Sequence, residues 1–152
     1  MRIPEILSID RILYNAEITS KKSALETLSK LMASSEPSLT YTEIFDCLNA
    51  RERLGSTGIG NGIAIPHGRF QHIKQPTAAF LKLKSGVDYD AVDQKPVDLM
   101  FGLLVPADST DEHLQILSCL AEMFSDTALI EQLRQELSPE KIYEILTRYI
   151  YA

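Results

Sequence analysis

From Ser20 onward, Ala24, Leu25, Leu28, Leu31 and Met32 fall three and four residues apart, with Lys21, Lys22, Glu26 and Lys30 on other faces. That period predicts an amphipathic helix ending near Ser34, where Glu36-Pro37-Ser38 breaks it. Thr40-Tyr41-Thr42-Glu43 has the spacing of a capping box. It predicts a second helix that buries Ile44, Phe45 and Leu48 and runs to Glu52 or Arg53. Upstream, Ile9 to Ile18 carries no clean period, and one short strand is expected around Ile12 to Ala16. Thr77 to Lys84 reads as a strand closed by Ser85-Gly86, and Val87 to Pro96 as a surface connection. Val97 to Val105 is apolar except for Asp98 and Gly102, which suits a central strand buried on both faces.

Three helices follow. Ser109-Thr110-Asp111-Glu112 is a second capping box; its helix is expected to bury Leu114, Leu117, Leu120, Ala121 and Phe124, with His113 in the first turn. Ala128 to Leu137 is amphipathic. Ser138-Pro139 supplies an N-cap and a first-turn proline for a helix carrying Ile142, Ile145, Leu146 and Tyr149. Strands alternating with capped helices predict a single α/β domain over residues 1–152, a mixed sheet with helices on its faces. In such folds functional loops follow the carboxyl ends of strands. His67 and the turn before His113 meet that expectation.

Five of the seven glycines (Gly55, Gly58, Gly60, Gly62 and Gly68) share one stretch, where the backbone needs positive φ or close approach by another group. Within it, Ile63-Ala64-Ile65 leads into Pro66-His67-Gly68. Pro66 pushes Ile65 into an extended conformation, so a short strand ends by presenting one imidazole. Neither a Walker loop nor a dinucleotide fingerprint fits this spacing. The preceding helix delivers Arg51 and Arg53 to the edge of the stretch, and a cation in a last helical turn also complements the dipole. Which of the two faces the site depends on where that helix ends. Neutral imidazole is a competent nucleophile toward phosphorus near pH 7, and an arginine with a second imidazole can hold phosphoryl oxygens as charge develops. His67, His113 and one of Arg51 and Arg53 form that set. Ser56 and Thr57 could donate hydroxyls to phosphate or simply shape the turn. His67, His72 and His113 show no carboxylate at metal-ligand spacing, so no metal is expected, and His72 reads as a surface residue.

The 152 residues suffice for a core without a staple, and 45% apolar with 24% charged residues is an ordinary globular balance. The net charge of −6 shows no run of either sign, which argues against nucleic-acid or anionic-lipid binding. No signal peptide or membrane-length apolar run is present, so a cytoplasmic location is expected, with Cys47 and Cys119 as reduced thiols.

The stretch from Arg51-Glu52-Arg53-Leu54-Gly55-Ser56-Thr57-Gly58 through Ile65-Pro66-His67-Gly68 resembles the active-site signature of fructose and mannitol type enzyme IIA domains. These belong to the phosphoenolpyruvate-dependent phosphotransferase system, and the nitrogen-regulatory branch is the most similar. Asp111-Glu112-His113-Leu114 resembles the segment bearing that family's second active-site histidine. The resemblance covers nearly the whole chain, and a stand-alone domain without a fused permease or carrier domain is expected. It implies a mixed sheet of about five strands flanked by helices, and no cofactor. It also implies a phosphoryl group accepted on Nε2 of His67 from a histidine-phosphorylated carrier protein, with His113 and Arg51 supporting the transfer. Regulated proteins in potassium and nitrogen physiology would be the targets. Two alternatives stand beside this: a sugar-specific enzyme IIA that passes phosphate to an enzyme IIB, and a binding module whose glycine loop recognises phosphate or peptide.

Overall fold

The computed structural model describes residues 2–35, 37–109 and 111–148. A short helix α1 (Ile3–Ile6) and a 3-10 turn (Ile9–Arg11) lead into β1 (Ile12–Ala16). Then come α2 (Lys21–Ala33), α3 (Tyr41–Glu52), β2 (Gly58–Gly60), β3 (Ile63–Ala64) and β4 (His67–Phe70). The chain continues through β5 (Thr77–Val87), β6 (Val97–Pro106), α4 (Asp111–Met123), α5 (Thr127–Gln135) and α6 (Pro139–Arg148).

The sheet is built around β6, the apolar run, which is buried on both faces as its composition requires. β5 lies antiparallel on one side of it, and β1 runs parallel to β5 beyond. On its other side β6 takes two short parallel strands in succession, β3 opposite Leu99 and Met100, then β4 opposite Leu103 to Pro106. β2 pairs antiparallel with β3 at the edge. Alternation along β6 divides the interior. Leu99, Phe101, Leu103 and Val105 join the core under α4, α5 and α6, while Met100 and Leu104 join the one under α2 and α3. Phe101 sits between Phe80 and Phe124, with ring centroids 6.5 and 6.0 Å away. Among the described residues no helix is long and apolar enough to cross a membrane.

The mixed α/β architecture is the expected one, but the sheet has six strands rather than about five. The additional pairing is the β2–β3 hairpin inside the glycine stretch, too short to show an alternating pattern. β5 continues through Ser85-Gly86 because Val87 still pairs with Val97. The connection that follows is not all surface, since Tyr89 and Ala91 are buried in the α2–α3 core. The buried stripe of α4 is His113, Ile116, Leu120 and Met123, with Leu114 and Ala121 exposed, so that helix is rotated from the expected face. Thr40 begins α3, but its hydroxyl donates to Glu43 (2.9 Å) instead of accepting an amide. Ser138 does accept the Lys141 amide at 3.2 Å, with Pro139 opening α6. Thr110 and Tyr149 lie outside the described residues.

Candidate active site

His67 is the first residue of β4, and the carbonyl of Pro66 just before it accepts the Leu103 amide at 2.9 Å. The imidazole is thereby fixed to the central strand. Gly68 lets β4 come close to α3: a Cβ there would lie 2.6 Å from the Cys47 sulfur. The ring's Nδ1 is 2.8 Å from the Ile65 carbonyl oxygen. A carbonyl can only accept, so Nδ1 carries the proton and Nε2 keeps its lone pair. His113 meets the same ring edge-on, with centroids 5.4 Å apart and planes at 65°. It is only 7% exposed, and among the described residues its Nδ1 has no hydrogen-bond partner. Both rings line a cleft of about 740 Å³ that also contains Arg51 and Arg69.

Burial is the main cause that lowers the pKa of His67, and Arg51 adds to it; the hydrogen bond to Ile65 and the charge of Glu52 oppose. His113 is lowered as well, by burial first and then by His67, Arg69 and Arg51. Both imidazoles are thus held in the neutral form that attack on phosphorus needs. Arg51 donates from Nη1 to the Gly55 carbonyl at 2.9 Å. Among the described residues neither Arg51 nor Arg69 forms an ion pair, although Glu43 and Asp46 also line the cleft. Two guanidinium groups that form no ion pair among the described residues, with a buried imidazole beside a free Nε2, suit a group that is tetrahedral and anionic.

The fold therefore brings His67, His113 and Arg51 together. Because α3 ends at Glu52, Arg51 lines the cleft and exposed Arg53 does not. Ser56 and Thr57, expected as phosphate contacts, are not among the residues that line the cleft. Ser56 Oγ donates to the Tyr89 carbonyl and accepts the Gly58 amide, each at 3.1 Å. The buried Thr57 hydroxyl donates to the Glu52 carboxylate. His72 is exposed at the cleft, 3.8 Å from Glu43. Arg69 was not singled out from the sequence, yet its place two residues after His67 on one strand puts both on the same face.

Residues 5–149 match the family model described as phosphoenolpyruvate-dependent sugar phosphotransferase system, EIIA 2. The chain belongs to this EIIA family. It is 44% identical over 146 residues to a nitrogen regulatory protein of Pseudomonas aeruginosa, covering 96% of this chain and 95% of that one. The crystal structure of nitrogen regulatory protein IIA-Ntr from Neisseria meningitidis matches with a TM-score of 0.90 at 46% identity, over 95% of this chain and 99% of that one. IIA mannitol from Escherichia coli shares the EIIA fold at a TM-score of 0.77 and 21% identity, over 92% of this chain and 98% of its own.

Proposed function

We propose that the protein is a cytoplasmic phosphohistidine carrier and regulator in the nitrogen-related branch of the phosphotransferase system. The observation that carries this reading is the hydrogen bond from His67 Nδ1 to Ile65, which leaves Nε2 bare in a cleft bearing Arg51, Arg69 and the buried His113. Relatives named nitrogen regulatory protein, at 40 to 44% identity, favour regulation over sugar transport.

The donor is a histidine-phosphorylated carrier protein. Nε2 of His67 attacks its phosphorus; a new N–P bond forms as the donor's N–P bond breaks, and the electron pair returns to the donor imidazole. No proton leaves His67 during attack, since Nδ1 keeps the one it gives to Ile65. Arg51 neutralises the equatorial oxygens and His113 donates to one of them. The product carries up to about two negative charges in one cleft, enough to repel an acidic partner or recruit a basic one. Its targets are regulated proteins, for which potassium and nitrogen physiology are the proposed setting.

Incubation with phosphoenolpyruvate, enzyme I and carrier protein, followed by intact mass and peptide mapping at alkaline pH, tests the chemistry. One added phosphoryl group on His67, absent in His67→Ala, is expected. Labelling of His67→Ala at wild-type stoichiometry would overturn the assignment. Identical partners captured by the phosphorylated and unphosphorylated forms would refute the switch.

A further inference from the structure

The Glu52 side chain is 3% exposed, and an ionised carboxylate so placed is costly unless its oxygens are compensated. Here all are engaged. Oε1 accepts the Thr57 amide at 3.1 Å and pairs with Lys21 Nζ at 3.0 Å. Oε2 accepts the Thr57 hydroxyl and, at 3.2 Å, the Tyr89 hydroxyl. Lys21 also lies 4.4 Å from the centre of the Tyr89 ring. The donors come from the start of α2, the glycine stretch and the β5–β6 connection, so the carboxylate ties three segments to the end of α3.

What this node grips is Thr57. The Thr57 carbonyl accepts the Ile65 amide at 3.0 Å, and the Ile65 carbonyl accepts His67 Nδ1 at 2.8 Å. A continuous chain of hydrogen bonds thus runs from the buried carboxylate to the imidazole, although Glu52 does not line the cleft. The tautomer of a histidine is set by the bond its second nitrogen makes. Imidazole side chains in water favour the Nε2–H form, in which no lone pair would face a donor. A displaced Ile65 carbonyl would return His67 toward that form.

We propose that Glu52 is a positioning residue, acting through Thr57 and Ile65 to hold His67 in the Nδ1–H tautomer. This rests on His67 being the phosphoryl acceptor, and the test separates the two. The Glu52→Gln side chain keeps its shape, but its amide nitrogen cannot accept from the surrounding donors. Ring nitrogen shifts of His67 in the full chain at neutral pH report the tautomer without any phosphoryl donor. The wild type is expected almost wholly as Nδ1–H, and E52Q as a mixture. Phosphoryl transfer to E52Q should show a kcat lower by about tenfold or more, with KM for the carrier within about twofold, because the cleft itself is untouched. Thr57→Val should shift the tautomer in the same direction and Thr57→Ser should restore it, and that pair decides the matter if E52Q does not fold. Folded E52Q or T57V with wild-type tautomer and kcat overturns the proposal. A wild type that accepts no phosphoryl group overturns the acceptor role instead, leaving the tautomer measurement to stand on its own.

Discussion

Gly58→Ala probes the contact on which the buried Glu52 node depends. A Cβ at Gly58 would lie 2.7 Å from Ala91 Cβ, 3.0 Å from Ala91 Cα and 3.2 Å from Tyr89 Cδ1. Carbon atoms in contact sit at about 3.5–4.0 Å, so the new methyl intrudes by roughly 1 Å. A rotamer change cannot relieve it, because Ala91 presents backbone and a methyl group. The β5–β6 connection must move away from β2, lengthening the 3.2 Å bond from the Val92 amide to the Gly58 carbonyl and drawing Tyr89 from Glu52. Overpacking of this kind costs about 1–3 kcal/mol and the weakened backbone bond about 1 more. Restriction of the unfolded chain by alanine returns about 0.4–1 kcal/mol. A net loss of about 2–3 kcal/mol is expected, which at a urea slope of about 2 kcal/mol per molar lowers the denaturation midpoint by about 1 M. Equilibrium unfolding by fluorescence and circular dichroism measures it. A midpoint within about 0.2 M of wild type would mean that Ala91 does not press on β2, and the packing argument would fail.

Phe101→Ala removes the ring between Phe80 and Phe124 and should cost about 3–5 kcal/mol, read calorimetrically as a Tm lower by about 10 °C or more. Lys82 is buried, with Nζ 2.6 and 2.7 Å from the Arg134 and Glu136 carbonyls at the end of α5. Lys82→Met should cost about 1–3 kcal/mol, the lost charge-assisted bonds outweighing relief of a buried ammonium; faster amide exchange in the last turn of α5 would register it, and unchanged exchange would count against the cap. Both site imidazoles have native pKa values below those of the unfolded chain. Between the two, the unfolded chain binds more protons, so their contribution to stability is full above about pH 6.5 and is lost as pH falls toward the native values. The drop in stability from pH 7 to 5.5 should therefore be smaller in a His67→Gln/His113→Gln variant. Over the same range phosphoryl acceptance should hold level through about pH 6.5 and decline only below it.

Much of the framework is local and therefore readable along the chain. The period of Ala24, Leu25, Leu28 and Met32 locates α2, and the unbroken run from Val97 marks the two-faced strand β6. Ile63 to Ile65 before Pro66-His67-Gly68 reads as a strand that ends by presenting an imidazole, whereas β3 stops at Ala64 and His67 opens β4. An arginine at the end of α3, Arg51 or Arg53, and His113 were legible as its companions because each stands at a helix end. The tertiary structure alone decided the rest. Leucines at 114, 117 and 120 allow one face of α4, but the sheet selects the face of His113, Ile116, Leu120 and Met123, and so buries the second histidine against the first. Arg69 became a site cation only when β4 extended past His67. Ser56 and Thr57 were drawn away from the cleft by partners in the β5–β6 connection and at the end of α3. In the sequence Glu52 shows only as a residue near the end of a helix. Its burial follows from partners at separations of 5 and 37 residues, which helical and strand periods cannot register, because those periods report only which side of its own element a residue occupies.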